Sequence, residues 1–231
     1  MKFLPFLLAL PLSALAQKSY TTADVALAGG GGAFSPAVSV NRFWGFGEHG
    51  KFKIGLGLRL TSFFGNDIDF RTAPARLTSG KESLAALFSE DIVANIDTLR
   101  MPRAQTNALN LVVHLQYTFG SRFDVGFNID AIGATFGSKK SGEFLARSQG
   151  RPVTIEPAKV TPFNLLLISD SDRGSLNSEL YARYWVRPKV GLRAGLSFQF
   201  SEYTTDRKLT FNNDRFRAKT LMPLVALSVK L

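Results

Sequence analysis

The amino-acid sequence predicts an all-β fold, a closed antiparallel up-and-down barrel of about eight strands. The first observation behind this prediction is a strict alternation of side-chain character. Between Gly191 and Ser201 every second residue is apolar, and the residues between are polar or glycine. A period of two is typical of a strand whose two faces meet different surroundings. The second observation is length, because this segment reaches the roughly 9–11 residues that a strand needs to cross the hydrocarbon of a bilayer.

Eight segments carry this alternation, the first of them weakly, so that its place in closing the barrel is left open. They cover residues 19–29, 34–46, 51–64, 107–119, 123–136, 176–186, 191–201 and 216–231. Tight turns are predicted at 47–50, 120–122 and 188–189, and longer connections at 65–106, 137–174 and 204–214. Short and long connections alternate, which in an antiparallel meander places all the short turns at one end. Both termini are expected at that end.

A short helix is predicted inside the longest connection. Apolar residues recur at helical spacing between Lys81 and Arg100, and Pro102 follows just beyond. Either Ser79 or Ser83 can cap its start. We therefore expect a helix in a large loop at the long-loop end of the barrel.

The first sixteen residues predict an export signal. Met1-Lys2 supplies a positive start, residues 3–15 are mostly apolar, and Ala14-Leu15-Ala16 is a small-x-small cleavage pattern. Cleavage after Ala16 leaves residues 17–231 as the mature barrel domain, outside the cytoplasm. The alternative is a buried N-terminal helix, which the two prolines within this stretch disfavour.

Composition removes several function classes. The chain has no cysteine, which excludes disulfides, thiolate metal sites, cysteine nucleophiles and a lipidated cysteine. The formal net charge is +10, which in a soluble protein suggests nucleic acid. Here the basic residues are scattered and form no basic helix or run, so no nucleic-acid partner is predicted. No cofactor is predicted either.

The polar face of the strands suits the inside of a narrow barrel, where an eight-stranded interior just accommodates side chains. Glycines alternate there with long or charged residues, and the two signs match, so we expect a paired network in the lumen. The expected partners are Lys53, Arg59, Arg183 and Arg193 with Asp24, Asp124, Asp130 and Glu179. The apolar face then meets lipid. A soluble barrel or sandwich with its polar face in water stays open, because period two alone does not decide between them.

Aromatic residues favour the membrane alternative, because they cluster at both ends of the strands and leave aliphatic residues in the middle. Beside the short turns lie Phe43, Trp44, Phe46, Phe52, Tyr117, Phe119, Phe123, Tyr184 and Trp185. At the long-loop ends lie Phe63, Phe64, Phe136, Phe200, Tyr203 and Phe216. We expect these residues to form two interfacial belts.

On these residues the mature chain resembles the small single-domain outer-membrane β-barrel proteins of diderm bacteria. The resemblance is carried by Ala14-Leu15-Ala16, by the alternating stretches 54–60 and 126–133, and by the terminal strand. It implies a transmembrane β-barrel in the cell outer membrane, surrounded by the lipid bilayer and assembled by the barrel insertion machinery. It also implies that the long loops are extracellular.

Some barrels of this class are enzymes, namely lipid A deacylases, palmitoyl transferases and surface proteases, and their chemistry needs a positioned histidine base. This chain has only His49, in a short turn, and His114, which points into the lumen toward a carboxylate partner. No catalytic residues are predicted. The loop carboxylates match no calcium-loop spacing, so no metal site is predicted; they are Glu82, Glu90, Asp91, Asp97, Asp170 and Asp172.

The sequence thus predicts a non-enzymatic barrel whose long external loops serve surface contact or a structural role, with an unknown external ligand. Two alternatives are a lipid-modifying outer-membrane enzyme and a secreted soluble β-barrel that binds a small apolar ligand. A water-filled pore is not expected, because porins need many more strands to open a channel.

Overall fold

A computed structural model describes residues 19–47, 49–80, 91–147, 150, 152–167 and 171–231. The predicted export signal and its cleavage site lie outside these ranges. The strands are β1 (Tyr20–Gly30), β2 (Ala33–Phe46), β3 (Phe52–Thr72), β4 (Thr98–Phe119), β5 (Phe123–Phe136), β6 (Lys140–Leu145), β7 (Thr154–Val160), β8 (Phe163–Leu165), β9 (Asn177–Trp185), β10 (Val190–Thr205) and β11 (Arg215–Lys230).

Eight of these strands form a closed ring of antiparallel neighbours, in the order β1-β2-β3-β4-β5-β9-β10-β11. The ring closes between β11 and β1 over seven residue pairs, from Thr22 opposite Lys230 to Ala28 opposite Leu224. The predicted barrel is therefore confirmed, and the weak first strand is the one that closes it. We call the end with the tight turns and both strand termini the turn end, and the opposite end the loop end.

The predicted helix falls largely on residues 81–90, which lie outside the described residues. Of its remaining part, Val93–Asn95 forms one 3-10 turn and β4 begins at Thr98. Another 3-10 turn lies at Thr210–Asn212. No helix in the described part of the chain has the length and apolar character needed to span a membrane.

The connections predicted at 65–106 and 137–174 were placed wrongly in part, because both contain strands. β3 continues to Thr72 and β4 starts at Thr98, and the two stay paired up to Arg71 opposite Thr98. The second connection holds the hairpin of β6 and β7. It also holds β8, which pairs with the upper part of β5, beyond the residues that pair with β9.

These additional strands close a second, smaller ring at the loop end. β1 and β2 stop at their two-residue turn, so β3 pairs directly with β11, with Thr72 opposite Phe216. β4 then pairs with β6, β6 with β7, and β7 with β10. We call the eight-stranded ring the lower storey. The six-stranded ring β3-β4-β6-β7-β10-β11 is the upper storey, built from residues 66–72, 98–103, β6, β7, 202–205 and 215–218.

The face that points inward changes between the two storeys in β3 and β4. In the lower storey Gly65 and Ala104 face the interior, whereas in the upper storey Phe70 and Leu99 do. The change takes place where two consecutive residues of each strand are exposed, at 66–67 and 102–103, and Asp67 there has a φ of 51°. The pairing register between the strands is kept throughout. A one-residue shift of phase moves every later side chain to the other face.

The two storeys have opposite interiors. The upper storey encloses apolar side chains, including Phe70, Leu99, Met101, Phe144, Ala158, Tyr203 and Phe216. The lower storey encloses charged and amide side chains toward the turn end, and its outer wall is apolar. Its loop end adds inward-facing residues such as Phe63, Met222 and Leu224 to the apolar core. Val25, Leu221 and Val225 are each 61% exposed on that wall. An apolar wall around a polar interior is the arrangement of a barrel in a bilayer. The lower storey is therefore a transmembrane β-barrel of the outer-membrane type.

The aromatic belts are confirmed in part. Of the predicted residues, five at the turn end face outward, namely Phe52, Tyr117, Phe119, Phe123 and Tyr184, and Phe64 and Phe136 do so at the loop end. Phe34 and Phe198, which were not predicted, also face outward at the loop end. The assignment was wrong for two turn-end residues, since Phe43 and Trp185 are buried in the lumen. It was also wrong for Phe63, Tyr203 and Phe216, which pack in the apolar core. The reason is strand parity, because these five side chains project to the inner face of their strands.

The two faces of β10 can be tested with a matched pair of substitutions. Leu196 is 46% exposed on the outer wall, and Ser197 is 1% exposed and donates a 2.8 Å hydrogen bond to Asn177 Oδ1. We expect Leu196→Arg to destabilise the folded state by about 2–4 kcal/mol in a bilayer, because the charge meets hydrocarbon near its midplane. Ser197→Arg acts through lumen packing instead, so its effect is insensitive to bilayer thickness.

The measurement is urea unfolding in vesicles of two acyl-chain lengths, together with bilayer-quenched fluorophores at positions 196 and 197. Quenching at 197 and none at 196 would show that the faces are assigned backwards.

Candidate functional site in the lumen and upper storey

The lumen of the lower storey is organised around Arg59 on β3. Its Nη2 atom lies 2.6 Å from Asp130 Oδ1 and donates to the backbone oxygen of Asn177 at 2.8 Å. Its Nη1 atom lies 3.1 Å from Glu179 Oε1. Space for such long side chains comes from inward-facing glycines. A Cβ on Gly126, for example, would lie 2.5 Å from the hydroxyl of Tyr181.

Glu179 links this group to a second one nearer the turn end. Arg193 Nη1 lies 3.1 Å from Glu179 Oε2 and 4.0 Å from Asp24 Oδ2. Arg183 lies 3.9 Å from Asp24 and 4.0 Å from Asp124. The predicted pairing of opposite charges across the lumen is thus confirmed for the three arginines. Lys53 contacts the hydroxyl of Thr118, which itself donates to Asp124 Oδ1 at 2.6 Å.

Arg183 is held mainly by aromatic rings. Its guanidinium lies 5.2–5.7 Å from the ring centroids of Phe43, Tyr181 and Trp185, and the side chain is fully buried. Cation–π attraction gains strength when the cation is shielded from water. This explains why Phe43 and Trp185 face the lumen. From the sequence, both were predicted to lie in the interfacial belt. Lys230 makes the same kind of contact, with Nζ 3.8 Å from the centroid of Trp185.

The structure places the two histidines apart. His114 is 2% exposed in the lumen, its Nε2 lies 3.0 Å from Asn41 Oδ1, and its ring packs edge-on against Phe43. The predicted carboxylate partner was wrong. The partner is the amide of Asn41, whose Nδ2 donates to Asp24 at 3.1 Å. His49 is exposed in a turn at the turn end.

Two of the loop carboxylates make structural contacts. Asp97 is buried and accepts a hydrogen bond from the hydroxyl of Thr210, while Asp172 accepts one from the backbone of Leu167 at 2.6 Å. Asp91 is exposed. The predicted positions Glu82, Glu90 and Asp170 lie outside the described residues. Among the described residues, no three acidic or histidine side chains are grouped as metal ligands would be.

The upper storey is covered by the β10–β11 connection. Arg207 Nε donates to Glu156 Oε2 on β7 at 2.9 Å, and the backbone of Asp206 donates to Pro157 O at 3.1 Å. Lys139 forms an ion pair with Asp206 beside them. The hydrogen bond from Arg207 holds the pKa of the Glu156 carboxyl below its ordinary value. These contacts fasten residues 206–214 across the β6–β7 hairpin.

The upper storey was not predicted, although the sequence contains an alternating pattern that indicates it. Ile68 and Phe70 alternate with Asp69 and Arg71 in β3, and β4 carries the same pattern through Leu99, Arg100 and Met101. In both strands, the apolar residues of the upper-storey part alternate in a different phase from those of the lower-storey part. A single alternating pattern therefore does not extend across the boundary.

The Arg59 group provides a second prediction. Breaking a buried ion pair leaves an uncompensated charge, which costs about 3–5 kcal/mol. We expect Arg59→Met to lower the free energy of unfolding by that amount, because Asp130 and Glu179 lose a common partner. The matched control is Arg100→Met, which removes an exposed ion pair with Asp69 and should leave stability unchanged. Both are measured by urea unfolding in detergent micelles, and equal effects of the two changes would contradict the proposed importance of the lumen.

The Glu156 contact predicts a pH dependence confined to the upper storey. A carboxyl whose pKa is depressed in the folded state stabilises that state above its unfolded pKa, about pH 4.3 for glutamate, and loses the contribution as pH falls through the folded value. The protection factors of the β6 and β7 amides, which are intrinsic exchange rates divided by observed rates at each pH, should therefore fall only below that ordinary value. Glu156→Gln is expected to have lower protection factors at neutral pH, with little further loss on acidification. An acid-induced loss of protection as large in the variant as in the parent would contradict this assignment.

Comparison with known proteins yields similar folds and no related sequence. No protein-family model matches the chain, and none of the curated proteins does. The crystal structure of neisserial surface protein A is 11% identical, covers 92% of this chain and 97% of its own, and has a TM-score of 0.40. Ail of Yersinia pestis, solved in a phospholipid bilayer nanodisc, is 8% identical, with 93% and 100% covered and a TM-score of 0.39. A de novo designed transmembrane β-barrel is 9% identical, with 94% and 99% covered and a TM-score of 0.30.

Proposed function

We propose that the chain is a non-enzymatic protein of the cell outer membrane that holds its upper storey outside the cell as a rigid contact surface. The observation that carries this proposal is the second ring of strands with its own apolar core. β3 continues eight residues past Phe64, which is about 25 Å along the strand. Strands that continue past the lipid-facing wall and pair with one another hold a fixed surface where other barrels have flexible loops.

The lumen supports a scaffold role. Its charged side chains are paired with one another and buried, with Arg59 at 3% and Glu179 at 1% exposed. A filled interior gives the wall rigidity and leaves the upper storey as the part that meets a partner. The two histidines support the non-enzymatic proposal, since His114 is enclosed in the lumen and His49 lies at the opposite end from the upper storey.

The surface of the upper storey carries apolar side chains that no lipid covers in this arrangement. Ile155 on β7 is 64% exposed, and Val153, two residues before it, is 57% exposed. Adjacent exposed apolar residues on one rigid element offer a small contact site for a macromolecular partner.

The orientation follows from the predicted export signal and the loop lengths. A chain delivered to the periplasm and inserted by the barrel machinery keeps its tight turns on the periplasmic side and its long connections outside. The upper storey is then extracellular, and residues 17–231 form the mature domain.

Single cysteines test this orientation cleanly, because the natural chain contains none. We expect Ile155→Cys to react with a membrane-impermeant maleimide on intact cells. Lys189→Cys, exposed in a tight turn at the turn end, is the matched control and should react only after the outer membrane is permeabilised. Labelling of position 189 but not 155 on intact cells would place the upper storey in the periplasm and overturn the proposal.

Lipid A analysis of a deletion strain against its parent tests the non-enzymatic part. We expect the same acyl pattern in both strains, and a changed pattern would favour the lipid-modifying alternative.

A further inference from the structure

We propose that a cleft on the outer wall, where the two storeys meet, binds the phosphate group of an anionic glycolipid in the surrounding leaflet. The cleft has a volume of about 180 Å³ and lies between β3, β11 and the connection that follows β3. Arg71, Arg217 and Lys219 line one side of it, and Thr78, Asp91 and Ile96 line the other. The identity of the leaflet that supplies the lipid rests on the orientation proposed above. The residues that line the cleft are the same in either orientation.

The first argument is the placement of like charges. Arg71 and Arg217 are directly opposite one another across the β3–β11 pair, and Lys219 is the next residue of β11 on the same face. Like charges directly opposite across a strand pair are destabilising unless an anion lies between them. Within the described residues, the salt bridges of Arg217 go to Glu202, and none involves Arg71.

The second argument is an unused donor. The Arg217 side chain is only 2% exposed, and its Nε and Nη2 atoms donate to Glu202 Oε2 at 3.2 and 2.8 Å. Its Nη1 atom is buried and has no hydrogen-bond partner among the described residues. A buried guanidinium nitrogen without an acceptor is costly. A phosphate oxygen in the cleft supplies that acceptor, and guanidinium groups are well suited to phosphate.

The third argument is the height of the cleft relative to lipid. Two residues below Lys219 on β11, Leu221 is 61% exposed on the apolar wall. Phe200 lies on β10 directly opposite Lys219, with its ring centroid 5.3 Å from the Arg217 guanidinium and 5.7 Å from Lys219 Nζ. An aromatic ring with cations above it and aliphatic residues below it marks the headgroup level of a bilayer. This position favours a headgroup phosphate attached to lipid rather than a free anion.

Two of the carboxylates that the structure describes near the cleft are already engaged by cations. Asp69 is engaged by Arg100 at 2.8 Å, and Glu202 is shared between Arg217 and Arg215. Among the described residues, Asp91 is the remaining acidic residue of the lining.

The test uses the full chain in phosphatidylcholine nanodiscs doped with diphosphoryl lipid A, and counts the retained lipid A by native mass spectrometry. The variant Arg71→Gln/Lys219→Gln removes the two exposed cations, so that the buried Arg217 and the fold are preserved. We expect retention of lipid A to fall about tenfold, the factor that corresponds to about 1.4 kcal/mol. The control Arg103→Gln/Lys159→Gln removes two exposed cations of the upper storey outside the cleft and should retain lipid A as the parent does.

Three outcomes would overturn the inference. Equal losses in the two double variants would show general electrostatic attraction, and equal retention of dephosphorylated lipid A would show that phosphate is not recognised. Displacement of lipid A by inorganic phosphate at comparable concentration would show a site for a free anion. None of these results depends on which end of the barrel faces outside, so a failure here is distinguishable from a failure of the cysteine-labelling experiment.

Discussion

The structure depends on one constraint, that charges enclosed in a narrow barrel must satisfy one another. Arg59 meets this constraint by joining Asp130 on β5 to Glu179 on β9, and Glu179 in turn joins Arg193 on β10. These contacts cross the lumen and fix strands that are far apart in sequence. Because a buried charge without a partner is strongly destabilising, the register of the whole ring is tied to this network.

The same constraint explains why the upper storey needs a different interior. A six-stranded ring is narrower and leaves less room for long charged side chains, so an apolar core gives the larger gain there. The chain makes the change by shifting phase in β3 and β4 together, at 66–67 and 102–103, while their pairing register is kept. Polar residues such as Asp69 and Arg100 consequently point to water, and Phe70 and Leu99 point inward.

Much of the lower storey could be predicted from the sequence, because a single period of two runs through most of its strands. β5 is an exception, since a bulge at Ala131 shifts its register against β4 and its phase. The polar side of Lys51–Phe64 and of Asn107–Phe119 identified the lumen residues by parity alone. The upper storey was hidden for the converse reason, since the alternation restarts in another phase and its β6–β7 hairpin pairs with strands distant in sequence. Strand parity also determines the side on which Phe43 lies. Its ring is in the lumen beside Arg183, although an aromatic residue near a strand end is typical of an interfacial belt.

The balance of charge inside the barrel bears on what lies outside it. The lower lumen holds five cationic side chains, Lys53, Arg59, Arg183, Arg193 and Lys230, against the four carboxylates Asp24, Asp124, Asp130 and Glu179. The formal charge of the whole sequence is +10, so nearly all of the excess lies outside the lumen. The cationic side chains outside the lumen are free of this internal balance. Those on the wall and the upper storey can interact with the anionic headgroups of a membrane. A barrel with a self-neutralised interior therefore meets its partners through its wall and upper storey.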